Sequence, residues 1–348
     1  MVKTDKNIQD LGEFGLIKHL TGDIRVKNKE TLVGIGDDAA VLDYGNKQVI
    51  ASADMLVEGI HFNLMYTPMK HLGYKAVIAN LSDIYAMNGI PKQILVSLAF
   101  SAKFPLKKIE NLYAGIKLAC DKYNVDLAGG DTSSSLTGLC LGITVIGEGD
   151  NDRIVYRSGA KKNDLICVTG DLGAAYLGLQ LLEREKKIFM ENPEIQPRLE
   201  GYDYPLQRQL KPEARADIIE FFRANNVRPT AMIDISDGLS SEVLHICNSS
   251  DKGCKLFADH IPIDRETEKL AGEFNLTPLV AALNGGEDYE LVFTISPGEF
   301  VKVKDNKQIK TIGHITDRED GQNLITGDGS FIPLKAQGWD TYNKKPHK

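Results

Sequence analysis

Apolar positions in this chain fall into short continuous runs and longer stretches of helical spacing, and the two alternate along its length. Residues 48–53 (QVIASA) read as a buried strand that ends at Asp54. After Pro68, Leu72, Ala76, Ala79, Asp83 and Met87 recur at helical spacing, and Asn88-Gly89 with Pro91 beyond gives a stop signal. Residues 93–100 (QILVSLAF) read as a strand, and Pro105 opens an amphipathic helix that turns Ile109, Leu112, Ile116 and Ala119 inward. A short strand at 125–128 runs into Gly129-Gly130-Asp131, and another covers 139–148. The pattern breaks over 147–157 (GEGDNDRIVYR), which sets a domain boundary and divides the chain into 1–150 and 151–348. Beyond it come strands at 165–169, 231–235 and 289–295 and a helix after Gly173. Residues 186–212 are polar, contain prolines and show no clear period, so they read as a long connection or insertion. Strands and helices alternate in both halves, which predicts a mixed α/β class with two domains.

Composition narrows the choice. With 348 residues, 42% hydrophobic and 26% charged, the chain has the make-up of a soluble two-domain protein. No apolar run approaches the length needed to cross a bilayer, and the first twenty residues lack the apolar stretch of a secretory signal. The five cysteines are scattered, without CxxC or metal-ligand spacing, which fits reduced thiols in a cytoplasm. A net charge of −7 without a Lys/Arg cluster argues against a nucleic-acid partner. An acidic protein that binds phosphates needs metal cations between its carboxylates and the ligand.

The acids are placed unusually. Asp37 and Asp38 follow Gly34-Ile-Gly36, Asp54 ends a strand, Asp83 lies within a helix, and Asp131 follows a glycine pair. Asp234 and Asp237 lie in Asp234-Ile-Ser-Asp-Gly238, and Glu287-Asp288 follow Gly285-Gly286. Each stands at the end of an apolar run or beside a glycine rather than on a solvated face. One such acid would most often be a turn or helix cap. So many together favour a carboxylate site for several hard cations, with magnesium ahead of calcium or manganese.

Familiar nucleotide motifs do not account for the chain. Gly34-Ile-Gly-Asp-Asp-Ala39 fits the GxGxxA dinucleotide pattern, but no helix follows and two carboxylates would face the pyrophosphate. No GK[ST] triplet and no HRD or DFG set occurs. Asp234–Gly238 opens like an EF-hand loop but lacks the closing Glu.

The full set of segments resembles the thiamine-monophosphate kinase family, within the superfamily that includes aminoimidazole ribonucleotide synthetase. The resemblance rests on Gly12-Glu-Phe-Gly15, Gly34–Ala39, Ser52-Ala-Asp54, Glu58-Gly-Ile-His-Phe62, Gly73-Tyr-Lys-Ala76, Asn80-Leu-Ser-Asp83 and Gly129-Gly-Asp131. It continues through Arg157-Ser-Gly-Ala160, Val168-Thr-Gly170, Asp234–Gly238, Gly285-Gly-Glu-Asp-Tyr289 and Gly338-Trp-Asp-Thr-Tyr342. It implies an N-terminal sheet that forms a barrel-like homodimer interface, a C-terminal α/β domain, and ATP in the cleft between them. It also implies that Asp38, Asp54, Asp83, Asp131, Asp234 and Asp237 hold several magnesium ions, with Ser52 adding an oxygen. Arg157, the backbone around Gly130 and the Ser236 hydroxyl would contact ATP, and Tyr113 would lie against the nucleotide. His61, Glu287 and Trp339 would address thiamine monophosphate. One departure is Ala53, where many relatives have Thr, so any metal contact there falls to backbone oxygen.

The implied chemistry is consistent with the residues. The acceptor phosphate is already ionised at neutral pH, so direct in-line transfer needs no general base. At roughly 4 Å two unit charges repel by about 4 kcal/mol at an effective dielectric of 20, which several cations and Arg157 would offset. Without the resemblance, Trp339 reads equally as a packing anchor and His61 as a satisfied histidine. Another ATP-using enzyme of the superfamily and a non-catalytic metal or nucleotide sensor are the alternatives. A selenophosphate synthetase would be expected to carry a reactive residue near its N-terminus, whereas the first cysteine here is Cys120, inside a predicted helix.

Overall fold

The structure, a computed structural model, describes residues 31–33, 37–45, 47–101 and 103–336. The first-half sheet has six strands in the order β1-β2-β3-β6-β4-β5. They are β1 (Thr31–Val33), β2 (Ala40–Asp43), β3 (Gln48–Val57), β4 (Ile90–Phe100), β5 (Asp126–Ser134) and β6 (Cys140–Gly149). The sheet is open, antiparallel except where β4 and β5 run parallel. In β6, half-buried and buried residues alternate without a break, as period-2 side-chain geometry requires when one face is covered. The cover is two helices, α1 (Met69–Ala86) and α2 (Leu106–Tyr123), packed on each other. Pro68 and Pro105 stand at their N-caps, where a missing N–H costs nothing. Asn88 takes the left-handed conformation and the Gly89 N–H bonds back to the Ile84 carbonyl at 2.9 Å, which closes α1 as the sequence predicts.

Two first-half strands run further than their patterns predict. β3 continues past Asp54 to Val57, paired with β6 throughout, so Asp54 is an internal strand residue opposite Ile143. β5 extends through Asp131 to Ser134, and all nine of its residues are exposed. Asp131 therefore stands on an exposed edge strand, contrary to the expectation that the acids avoid solvated faces. Gly130 is required in β5: at φ 152° a Cβ there would lie 1.9 Å from the Val96 carbonyl oxygen of the neighbouring strand.

The second sheet has seven strands in the order β13-β12-β9-β11-β7-β10-β8. They are β7 (Leu165–Thr169), β8 (Ala231–Asp234), β9 (Gly253–Phe257), β10 (Leu291–Ile295), β11 (Ile309–Thr316), β12 (Gln322–Ile325) and β13 (Phe331–Pro333). Residues 150–164, between the sheets, hold no helix or strand. Helix α1 also packs on β8, and one apolar cluster joins Leu72, Ile84 and Met87 to Phe222, Met232 and Phe293. The two sheets thus share a core across α1.

The 186–212 segment is not a structureless connection. Helix α3 (Ala174–Glu191) covers its start and α4 (Asp203–Leu210) its end. Pro205 falls in the first turn of α4, where proline is tolerated, and α4 packs on α3 and α1. Among the described residues, no helix is long and apolar enough to cross a membrane.

Candidate active site

Where α1 lies on β3, the two elements share polar groups. The buried Asn80 carboxamide oxygen accepts the Asp54 N–H at 3.1 Å, and one turn on, Asp83 Oδ2 accepts from Ser52 Oγ at 2.5 Å. Asp38 comes from the turn before β2 and Asp234 from the last position of β8. Carboxylate oxygens of Asp38, Asp83 and Asp234 lie within 4.8 Å of one another. Arg157, from the segment between the sheets, holds Asp38 with two nitrogens, Nη2 2.6 Å from Oδ1 and Nε 3.1 Å from Oδ2. Its backbone N–H donates to both Asp37 oxygens at 3.3 Å.

One guanidinium does not neutralise this group. At 4.8 Å and an effective dielectric of 20, each ionised pair repels by roughly 3–4 kcal/mol. Burial raises the Asp83 carboxyl well above its ordinary range, and Asp54, Asp234 and Asp38 add to the rise. Burial, with Asp38 next, lifts Asp234 to about 7, and burial with Asp38 beside it lifts Asp37 to about 6. Asp38 is raised by burial against the pull of Arg157. Hard oxygens converge here with a shortage of positive charge, which is the donor set a divalent cation of the magnesium type takes.

The loop after β8 continues the site. Gly238, at φ 112°, starts helix α5 (Leu239–Ser250), and the Asp237 N–H donates to Glu242 Oε1 at 3.1 Å. Glu242 is itself raised well above its usual value by burial, then by Asp237 and Asp234. The Ser236 carbonyl accepts the Glu287 N–H at 2.7 Å, which brings the residue expected on the ATP side beside one expected on the acceptor side.

Glu287 and Tyr289 both take positive φ, 66° and 52°, a sparsely populated conformation for residues other than glycine. The Glu287 carboxylate meets Lys75 Nζ at 2.8 Å and Gln209 Nε2 at 2.9 Å. Lys75 and Gln209 line a small pocket with His61, Phe62, Tyr66, Thr67 and a wall of leucines. Glu58-Gly-Ile-His-Phe62 forms the turn that ends β3. Glu58 Oε2 accepts the Leu139 N–H at 2.8 Å, and His61 Nδ1 accepts the Val57 N–H at 3.0 Å. With Nδ1 an acceptor, the ring proton belongs on Nε2. His61 and Glu287 thus meet the same pocket lining, while Asp131 and Gly130 lie out on β5 and Tyr113 is half-buried on α2. Trp339, with Gly12–Gly15, Gly34–Gly36 and Gly338–Tyr342, lies outside the described residues.

Residues 36–148 match the family model for the N-terminal domain of AIR synthase related proteins. Thiamine-monophosphate kinase of Aquifex aeolicus is 35% identical over 333 residues, 95% of this chain and 98% of that protein. The Bacillus subtilis enzyme of the same name is 33% identical over 339 residues, 95% of this chain and all of that one. The chain belongs to the thiamine-monophosphate kinase family. A solved structure described as AaThiL complexed with AMPPCP and TMP superposes with a TM-score of 0.81 at 30% identity, over 97% of this chain and 99% of that one.

Several residues around this kinase-family site were given no role by the sequence. Lys75, within the Gly73-Tyr-Lys-Ala76 segment, is 5% exposed in the middle of an apolar helix. Gln209 and Arg208 come from the aperiodic segment. Arg208 Nη1 reaches Glu290 Oε1 at 2.8 Å, and Arg215 Nη1 reaches Oε2 at 2.5 Å. Thr169 Oγ1 also donates to Glu290 Oε2, at 2.5 Å. Next to it, at φ 57°, a Cβ on Gly170 would lie 2.3 Å from Glu290 Oε1, so Val168-Thr-Gly170 is built around a buried glutamate.

Proposed function

We propose that this chain transfers the γ-phosphoryl group of ATP to thiamine monophosphate, giving thiamine diphosphate and ADP. The observation that carries the reading is the convergence of Asp38, Asp83 and Asp234 within 4.8 Å in a chain of this family. ATP and thiamine monophosphate enter through the relatives: two are named for the acceptor, and the solved structure contains AMPPCP and TMP. An ionised phosphate oxygen of thiamine monophosphate attacks the γ-phosphorus, that bond forms as the bond to the β–γ bridging oxygen breaks, and ADP leaves. No side chain has to remove a proton.

Asp38, Asp54, Asp83, Asp234 and Asp237, with Asp131 and Ser52, would hold magnesium, which would supply charge neutralisation for the polyphosphate. Ser52 holds Asp83, and the Asn80 carboxamide fixes the Asp54 backbone. Arg157, Gly130, Ser236 and Tyr113 are assigned to ATP, and His61, Glu287 and Trp339 to thiamine monophosphate.

Residues 1–150 would form the nucleotide, metal and dimerisation domain, and 151–348 the domain that completes the site. The exposed β5 edge, with Leu136 fully exposed just after it, favours a homodimer. Free cysteines at all five positions favour the cytoplasm. Incubation with ATP and thiamine monophosphate, followed by chromatography, tests the central reading. Thiamine diphosphate and ADP in equal amounts are expected; ATP hydrolysis without thiamine diphosphate overturns it.

A further inference from the structure

We propose that Lys75 and Gln209 are positioning residues that fix the Glu287 carboxylate toward the acceptor substrate and thereby set affinity for it. The inference rests on the reading of Glu287 as a substrate residue. Three separate parts of the chain meet at this carboxylate: α1 supplies Lys75, α4 supplies Gln209, and the loop before β10 supplies Glu287 itself. Lys75 Nζ spans two of them, bonding Glu287 Oε1 at 2.8 Å and the Gln209 backbone carbonyl at 3.0 Å. Gln209 Nε2 takes the other carboxylate oxygen at 2.9 Å. Each oxygen of Glu287 therefore has its own donor, and the plane of the carboxylate is set by two elements outside its loop.

The arrangement has costs that packing alone does not require. A lysine 5% exposed is stable only when its charge is paired, and a neutral side chain would fill the same space without that demand. The Gln209 carboxamide oxygen is buried and has no hydrogen-bond partner among the described residues, while its nitrogen is committed to Glu287. Reversing the amide would turn its oxygen onto the carboxylate, so Glu287 dictates the orientation. Glu287 is held at φ 66° by its N–H bond to Ser236, and its side chain keeps 30% exposure while Lys75 beneath it has almost none. Strain, a buried cation and an orphaned acceptor gather at this carboxylate, whose partners Lys75 and Gln209 also line a small pocket with His61. A carboxylate fixed this way is an acceptor for N–H donors of a heteroaromatic ring.

The test is calorimetric titration of thiamine monophosphate and of the non-hydrolysable ATP analogue AMPPCP against K75M, Q209L, E287Q and the K75M/E287Q double variant. Melting curves are recorded alongside. K75M and Q209L are each expected to weaken thiamine monophosphate by about tenfold or more while AMPPCP changes by less than about twofold; in the E287Q background K75M should add little. Equal losses for both ligands, unchanged thiamine monophosphate affinity, or full additivity with E287Q would each overturn the positioning role. If K75M fails to fold, Q209L, which removes no charge, decides by the same criteria. The two readings separate cleanly. If E287Q itself leaves thiamine monophosphate binding intact, Glu287 is not a substrate residue and both fall. If E287Q weakens it but K75M and Q209L do not, only the positioning role is lost.

Discussion

Arg157 holds Asp38 through two nitrogens, at 2.6 and 3.1 Å, and so neutralises one carboxylate of a group in which, among the described residues, neither Asp83 nor Asp234 forms an ion pair of this kind. The residue assigned to ATP phosphates is thus, without ligand, part of the electrostatics of the acid cluster. Arg157→Met should leave Asp38 buried and unpaired, costing about 3 kcal/mol in metal-free protein, toward the low end for broken buried pairs. It should also raise the KM for ATP while leaving that for thiamine monophosphate nearly unchanged. Urea denaturation in EDTA and steady-state kinetics check the two halves separately. An unchanged KM for ATP would remove Arg157 from the nucleotide.

The same crowding predicts an unusual trade. Asp83→Asn removes one of the mutually repelling charges and keeps an oxygen for Ser52, so the EDTA-treated variant should melt higher than wild type, by about 1 kcal/mol or more. Turnover should nevertheless fall by orders of magnitude, because the variant loses a hard anionic ligand. In wild type, EDTA should abolish activity and magnesium restore it. A variant that melts lower and retains activity would show that Asp83 is a structural acid.

Cysteine chemistry offers an independent check on the core. Burial lifts the Cys120 thiol to about 11 and Cys167 to about 12, while Cys247 and Cys254 are buried side by side in the second-half core. Only the half-buried Cys140 is partly open to solvent. Ellman's reagent at pH 8 should therefore label no more than one thiol in the native protein and all five after denaturation. Fast labelling of several native thiols would contradict this core.

The parts of the fold that were legible in the sequence are those in which a buried face imposes a period. Helix α1, with its Pro68 entry and Asn88 exit, and the alternating strand β6 are examples. The pattern misled where burial is not the organising force. β5 is exposed along its whole length, so it has no hydrophobic alternation, and Gly129-Gly130 looks like a turn. Helix α4 buries only Pro205 and Gln209, too little for a period to register. The acids Asp38, Asp83 and Asp234 were legible because glycines and apolar runs surround them. The contacts of Lys75 and Gln209 with Glu287 were not, although Lys75 lies in the Gly73-Tyr-Lys-Ala76 segment, since they depend on a meeting of α1, α4 and the Glu287 loop that no local pattern encodes.

Glu290 gives a pH prediction with a definite sign. It is fully buried, and burial alone would raise its pKa. Arg208, Arg215 and the Thr169 hydroxyl outweigh that and hold the carboxyl below its ordinary value of 4.5. A depressed carboxyl contributes stability that is fully present above the unfolded-state pKa and is lost as pH falls through the folded-state value. The wild-type protein should accordingly lose stability as pH falls from about 5 through the acid range, as Glu290 takes up its proton. Glu290→Gln removes the titrating group and the carboxylate shared by Arg208 and Arg215, leaving, among the described residues, Arg208 only the longer ion pair to Asp288 at 3.5 Å and Arg215 only that to Asp217 at 2.8 Å. It should cost about 3–5 kcal/mol at pH 7, and its stability should change less steeply with acid. Denaturant titrations of both proteins between pH 7 and pH 3 measure the two slopes. Parallel slopes would mean that other carboxylates carry the acid limb, and a cost under about 1 kcal/mol at pH 7 would mean that Asp288 and Asp217, already paired with Arg208 and Arg215, suffice to hold them.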